Sequence, residues 1–534
     1  MSYDYIVVGA GAAGSVVAHQ LSTNPSTRVL LLEAGGTDRH PINLVPKGFY
    51  FTMSNPRFSK TFVAGPYGAV DATEPWHRGR VLGGSTTTNG MIWNRGWAPD
   101  YDALVDAGNA GWGWREFLDA FRYLENHQLG GSELRGTGGR VDVSIAAPPD
   151  DLSEALIAAA EADGLRRVDD WNGTDDERIA YVPSNIGKGL RVSSARAFLR
   201  PALRRENLTV VTGAEVHSVV LDHRRATGVL ARVGGSERTF SARREVLLCG
   251  GTLDTPLLLE RSGIGHPAVL HAAGLPLRVE SPNVGEKLTE HRGMDFRFRI
   301  TGAEGQNKLI AGQIRRYLTG ARYLVERNGI MSYGGFNVIG AFAAHPDATR
   351  PDAQIVFTPV SIDGSRLGPK RAQPEKEPGA MLSMLPLRPT SRGSIHSTGA
   401  RAGDVAAIAP NFLATEHDRE VLAHGARRAR GIAEHPEFGQ YVARLTKPVD
   451  LDLSSDEALA HHAINFGNSG YHTVGTAAMG PDDDDVVDAN LRVRGTENLR
   501  VIDASVFPHI TSGNINAPTM ALALIASGRI LQGD

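Results

Sequence analysis

The sequence predicts an α/β fold in which an open parallel sheet of the doubly wound kind is joined to a second domain built on an antiparallel sheet with helices. Three observations carry this. Tyr5-Ile-Val-Val8 is a continuous apolar run that passes at once into Gly9-Ala-Gly11-Ala12-Ala13-Gly14 and then into helical spacing from Ser15 to Leu21. Val29-Leu-Leu-Leu32 is a second such run and ends in Glu33. Thr209-Val-Val211, Glu245-Val-Leu-Leu248 and Leu499 to Ile502 add parallel-sheet runs, whereas Ala353-Gln-Ile-Val-Phe357 and Gly393-Ser-Ile-His396 read as members of an antiparallel sheet.

The first block is strand, tight turn and helix, the Rossmann-like arrangement. Gly9, Gly11 and Gly14 allow the turn, the close approach of backbone to a pyrophosphate, and close packing of helix on strand. The helix start at Ala12 and Ala13 offers free N–H groups and a positive dipole end. Glu33, about twenty residues further on, places a carboxylate where ribose hydroxyls can donate to it, which favours an adenosine with a free 2′-OH, as in FAD or NAD.

Composition narrows the class. With 534 residues, 41% hydrophobic and 22% charged, the chain is long enough for a large two-domain enzyme. The net charge of −3 and the interleaving of Arg191 to Arg205 and Arg427 to Arg430 with apolar and acidic residues argue against a nucleic-acid surface. Cys249 is the single cysteine, so no intrachain disulfide can form, and it lies in an apolar run that predicts a buried inert thiol. A strand starting at about Asp4 leaves no space for a leader, and no run reaches membrane-spanning length, so a cytoplasmic location without a membrane span is expected. His461-His462 and the acidic stretches lack metal-ligand spacing, so no metal is expected.

Further motifs resemble one family. His77-Arg-Gly-Arg80-Val81-Leu-Gly83-Gly84-Ser85-Thr-Thr-Thr88-Asn89-Gly90-Met91-Ile92-Trp93 resembles the first signature of the glucose–methanol–choline (GMC) oxidoreductases, flavoenzymes that oxidise alcohols. Gly250-Gly251-Thr252 through Ser262-Gly263-Ile264-Gly265 resembles the second. The likeness continues through Pro282 to His291, Asn498 to Ser505, and the two segments Tyr471-His472-Thr473 and Ser512-Gly-Asn514-Ile-Asn516-Ala-Pro-Thr519. Residues 296–464 match weakly.

The resemblance implies a GMC-type FAD domain made of 1–150, 188–295 and 465–534, with a substrate domain from 151–187 and 296–464. It implies that Val81, Gly83, Gly84 and Asn89 to Ile92 lie along the flavin, that Val216 presents backbone to the adenine from a strand running Val210 to Val216, and that Asp503 stands near ribityl and pyrophosphate. Asn516 and Thr519 fall on its pyrimidine edge. Gly263 and Gly265 read as helix-end punctuation.

A histidine and an asparagine offered together supply a proton acceptor and a neutral hydrogen-bond partner for a hydroxyl. By resemblance His472 faces the flavin and takes the alcohol proton, and Asn514 orients the hydroxyl, since an amide cannot act as a base. Covalent FAD in this family often uses a His before the Asn of the first signature. Thr88 stands there, so the FAD is expected to be non-covalent.

Lys287 and Glu290 stand where Asn and Asp are common in the family, and His266 where Pro is common. Tyr471 and Asn337 are the candidate pocket residues, with Glu74 and Trp76 at its edge. By resemblance, Phe336 to Val338 falls where choline-oxidising members carry a Glu able to pair with a quaternary ammonium, and the absence of an acid here points to a neutral substrate: an aryl alcohol stacked on Tyr471, or a polyol held by Asn337. The expected reaction is oxidation of CH–OH to an aldehyde or ketone, with oxygen or another acceptor taking the electrons. A hydroxynitrile-lyase-like enzyme and a non-enzymatic flavoprotein partner are the alternatives.

Overall fold

The computed structural model describes residues 2–310, 313–363 and 373–533. Ser2–Val8 is the central strand of the first sheet, parallel to Val29–Glu33 on one side and to Ser236–Leu248 on the other. Leu208–Thr212 extends the sheet beyond Val29–Glu33. The residues Val29 to Leu32 are all buried because both faces of a parallel sheet are covered, which is why their sequence does not alternate.

The 13-residue strand Ser236–Leu248 serves two patterns in turn. Its first half pairs antiparallel with Arg225–Val233, and its last three residues pair in parallel with Leu499–Val501. Arg225–Val233 in turn pairs with Ala214–Asp222. The run read from sequence as one strand, Val210 to Val216, is therefore two, Leu208–Thr212 and Ala214–Asp222. Gly213 between them has φ +66, a left-handed conformation that breaks the ladder and lets the chain change partners.

The helix Ala12–Leu21 follows the first strand directly and buries Val16, Val17, Ala18 and Leu21 in a core shared with the C-terminal helix Asn516–Gln532. At about 1.5–3 kcal/mol for each buried valine or leucine, this contact ties the two ends of the chain together.

The second sheet runs in the order Val442–Lys447, Arg292–Ile300, Gly379–Pro386, Ala353–Thr358, Val338–Phe342, Arg178–Tyr181 and Arg166–Arg167. All neighbours are antiparallel except the last two strands. Its alternation is regular. Ile355, Phe357, Leu382 and Met384 pack on one side with Leu422, Ala426 and Ile432 of the helix Glu416–Glu434, while Gln354, Val356, Met381, Ser383 and Leu385 face a cavity on the other.

Ala353 to Phe357 belongs to this sheet as expected, but Gly393 to His396 does not. Ser394–Ser397 pairs only with Ala406–Ala409, in a separate ribbon. His396 explains its position: Nδ1 lies 2.7 Å from Glu260 and Nε2 3.0 Å from Glu286, which draws the ribbon to the nucleotide side. Arg292–Ile300 begins inside the segment assigned from sequence to the nucleotide domain, and Asn468–Ser469 pairs with it as well. Among the described residues, no helix is long and apolar enough to cross a membrane, and no group of three His, Cys, Asp or Glu is placed to hold a metal.

Burial opposes the charge on His396, but Glu260 and Glu286 outweigh it and raise the imidazole above its usual value of 6.5. A raised histidine stabilises the fold below the unfolded value, and that stability is lost as pH rises through the folded value. His396→Gln should therefore lower stability by ~1.5–3 kcal/mol at pH ~6, with the deficit shrinking at pH ~9. Denaturant melts of both proteins at the two pH values check this.

Candidate active site

A cavity of about 870 Å³ lies between the carboxyl ends of the parallel strands and the inner face of the antiparallel sheet. At its nucleotide end the chain turns at Gly9, φ +98, where a Cβ would overlap the Cys249 carbonyl oxygen, and a Cβ on Gly14 would overlap the Gly9 carbonyl oxygen. Gly14 accordingly packs behind the turn, while Gly9, Gly11, Ala12 and Ala13 line the cavity with the N-terminus of the helix aimed into it.

Glu33 also lines it. Its carboxylate accepts from the N–H groups of Ala10 (2.9 Å) and Gly35 (2.7 Å). Burial pushes its carboxyl up to about 7 despite those two donors. Val216, Asp503, Asn516 and Thr519 line the same space. Asp503 accepts from Gly251 N–H (2.8 Å) and from the Thr255 hydroxyl (2.7 Å), so it braces the second Gly-rich turn as well as facing the cavity.

In the 81–92 segment the glycines act chain against chain. Gly84 lines the cavity, and a Cβ there would come within 2.7 Å of Gly11 Cα; Gly83 adopts φ +90 with a Cβ position that overlaps the Thr87 hydroxyl. Neither Gly83 nor Val81 reaches the cavity. Val81 is fully buried behind it and bridges to Gly36. Asn89, Gly90, Met91 and Ile92 do line it.

Asn89 Oδ1 accepts from Met91 N–H (3.1 Å) and from Arg191 Nη1 (2.8 Å), which holds Met91 at φ +68. Arg191 is buried, and burial alone brings its guanidinium down to about 9. Sequence reading counted it within an ordinary basic stretch, because nothing in the spacing shows that it lies under this loop.

At the far end His472 and Asn514 meet: Asn514 Nδ2 lies 2.7 Å from His472 Nε2. A third residue completes the group. His291 Nδ1 is 2.9 Å from His472 Nδ1, and His291 Nε2 is 2.8 Å from the Leu387 carbonyl oxygen.

The carbonyl decides the tautomers, since it can only accept. His291 must carry its proton on Nε2, its Nδ1 must accept from His472 Nδ1–H, and His472 Nε2 is left with a lone pair, to which Asn514 donates. Burial first, then His291 and Arg78, hold His472 well below the ordinary 6.5, and burial brings His291 to about 4. Both rings are neutral at neutral pH.

Glu290 fixes the backbone around this pair. Its Oε1 accepts from the N–H of His291 (2.9 Å) and of His472 (2.8 Å). Burial raises it to about 7, against the pull of Arg78, which lies 3.8 Å away and donates to the Thr473 hydroxyl (2.8 Å). From sequence Glu290 reads only as a departure from a common Asp. His291 stands inside a quoted motif, but 181 residues separate it from His472 and no spacing joins them.

Tyr471 lines the cavity with φ +63. Its ring lies parallel to His77 at 6.5 Å, and the Arg78 guanidinium sits 5.5 Å from its centroid. Asn337, expected in the pocket, is not there. It is fully buried, and Nδ2 donates to Asp150 (2.9 Å) and the Ser153 hydroxyl (3.3 Å) at the start of the helix Asp151–Ala162. Phe336 next to it, in the segment that leads into the strand Val338–Phe342, takes the cavity side instead. Glu74 and Trp76 also point away, Glu74 pairing with Arg292 at 2.7 Å, and their neighbours Pro75 and His77 line the wall. Cys249 borders the cavity, and burial, then Asp503, raise its thiol well above 9.0, so it stays protonated.

The residues present fit a flavin dinucleotide. A helix N-terminus, the Glu33 carboxylate and a glycine turn stand at one end. At the other, Asn514 Oδ1 and Asn516 Nδ2 are buried without partners among the described residues, as expected of groups that a bound ring system satisfies.

Comparison with known proteins agrees. Residues 3–292 and 389–523 match the N-terminal and C-terminal parts of the GMC oxidoreductase family. The chain is 35% identical to the oxygen-dependent choline dehydrogenase of Photobacterium profundum, over 99% of this chain and 93% of that protein. It is 34% identical to the alcohol dehydrogenase [acceptor] of Pseudomonas putida, over 98% and 94%. Among solved structures it resembles pyridoxine 4-oxidase from Mesorbium loti with a TM-score of 0.87 at 29% identity, covering both chains fully. The chain belongs to the GMC oxidoreductases, a family of FAD-binding enzymes that act on CH–OH donors.

Proposed function

We propose that the chain oxidises the CH–OH of a neutral alcohol to an aldehyde or ketone, with His472 taking the hydroxyl proton. The carrying observation is the unprotonated His472 Nε2, directed by the Leu387–His291 relay, whose lone pair accepts from Asn514 here and is the acceptor a substrate hydroxyl would take over. On this reading Asn514 Nδ2 donates to the substrate oxygen while its proton passes to His472 Nε2. Bound FAD supplies the hydride acceptor, and oxygen or another acceptor takes the electrons afterwards. Residues 1–150, 188–295 and 465–534 hold the flavin nucleotide, and 151–187 with 296–464 roof the substrate.

Choline is the competing substrate, favoured by relatives that carry its name. Against it, the carboxylates lining the cavity are already committed: Asp254 to Lys60, Glu215 to Arg80, Glu33 and Asp503 to backbone N–H groups. Arg78 already occupies a face of Tyr471. A quaternary ammonium buried there would go unpaired, at a cost of several kcal/mol. With Asn337 engaged elsewhere, the polyol alternative loses the residue that was to hold it, and an aryl or other largely apolar alcohol is preferred.

Steady-state kinetics should give choline a kcat/KM at least ~10-fold below that of the best neutral alcohol; the reverse order would reject the neutral-substrate reading. The FAD should be non-covalent, since buried Thr88 stands at the cavity wall where an attaching imidazole would be needed. Acid precipitation should then release yellow cofactor into the supernatant.

His472→Ala should retain FAD and slow anaerobic flavin reduction by ~10² to 10⁴-fold. Because His472 is held below 6.5, the wild-type limiting rate should be flat through neutral pH and fall only toward acid. Stopped-flow reduction across pH checks both points. A rise centred near pH ~7 would point to another titrating group, Glu290 being the nearest.

A further inference from the structure

Gln354 lies on the strand Ala353–Thr358 with its side chain on the cavity wall, and it is only 1% exposed. Its neighbours fix which way its amide points. The Gly96 N–H donates to Asn94 Oδ1 at 3.0 Å, so the other terminal atom of that amide is the nitrogen. Asn94 Nδ2 donates to Gln354 Oε1 at 3.3 Å. Gln354 therefore spends its oxygen on Asn94, and its Nε2, a double donor, has no partner among the described residues.

Asn94 also fixes where this donor stands. Its Nδ2 lies 3.5 Å from the Ser512 carbonyl oxygen, and a Cβ at Gly513 would overlap its amide. Asn514, the next residue, holds His472 Nε2. Gln354 is thus one side chain removed from the turn that carries the proton-transfer pair.

Its immediate neighbours on the two strands offer no comparable amide donor. Leu385 is opposite in register and Val356 follows on the same face of the strand. The Ser383 hydroxyl gives its proton to Asp295 at 2.5 Å and turns only lone pairs to the cavity. A donor on a largely apolar wall discriminates between substrates that can accept from it and those that cannot.

We propose that Gln354 is the specificity-determining residue of this site. Its Nε2 donates to a neutral acceptor in the substrate, a ring nitrogen or an ether or carbonyl oxygen set apart from the carbinol, while Val356, Met381 and Leu385 receive an apolar body. The preferred substrates are alcohols that carry such an acceptor. This rests on the alcohol-oxidising reading of His472 and Asn514.

The test is anaerobic stopped-flow reduction of the holoenzyme by benzyl alcohol and by the three pyridylmethanols, which replace one ring CH by nitrogen at each position in turn. In the wild type, one pyridyl isomer should show a Kd ~10-fold or more below that of benzyl alcohol, with limiting reduction rates within a few-fold of each other. Gln354→Met keeps the length and removes the donor. It should bring the Kd of that isomer to that of benzyl alcohol measured in the same variant; Gln354→Leu serves if the methionine variant fails to hold FAD. Flavin bleaching by all four alcohols with one common Kd in the wild type, or a preference that survives both variants, overturns the role of Gln354 alone. Bleaching by none of them overturns the aryl-alcohol reading together with it.

Discussion

The carbonyl oxygen of Leu387 can accept a hydrogen bond and cannot donate one, and the chemistry of the site depends on that asymmetry. It sets the proton on His291, which sets the proton on His472, which leaves one nitrogen free toward the cavity. Leu387 follows the strand Gly379–Pro386, and His291 immediately precedes Arg292–Ile300, its neighbour in the same sheet. The pairing of these two strands therefore orients a ring carried on a loop near the other end of the chain.

Charge around this ring is arranged by burial more than by pairing. Glu290 and Arg78 stand 3.8 Å apart and both are pushed toward their neutral forms, chiefly by burial. What Glu290 contributes geometrically is firmer: one oxygen holds the backbone N–H groups of both histidines. Arg191 has the same relation to the flavin-side loop, since it carries a charge but acts on Thr86 and Asn89 through directed hydrogen bonds. Buried polar groups of this kind specify one loop geometry, because leaving any of them unpaired costs more than the bond itself contributes.

The glycines tell a related story. Gly84 reads from sequence as a concession to a ligand, and Gly9 and Gly14 as serving turn and helix packing as well; each is required by another stretch of chain: Gly11 Cα, the Cys249 carbonyl and the Gly9 carbonyl in turn. The turn after the first strand, the start of the first helix and the 83–92 loop interlock at van der Waals distance. The nucleotide end of the cavity is consequently a packed assembly even before any group enters it.

Local pattern was enough for the parallel sheet, the first helix and Glu33, because continuous apolar runs, period-3.6 spacing and glycine turns are properties of neighbouring residues, whereas His472 and Asn514 were singled out by family resemblance. The departures lie where partners are distant. Asn337 and Phe336 stand side by side in the segment before Val338–Phe342, and only the contact of Asn337 with Asp150 and Ser153 turns it away from the cavity. Gly393 to His396 has the composition of a sheet strand, but Glu260 and Glu286 hold it elsewhere. His291, Glu290, Arg191 and Gln354 acquire their positions only when residues as much as 260 apart are brought together, as Gln354 and Asn94 are. The sequence by itself determined which residue types were available and which local elements they formed. The tertiary structure alone decided which imidazole nitrogen stays unprotonated and which donor faces the cavity, since hydrogen-bond direction is set by partners that the linear order does not reveal.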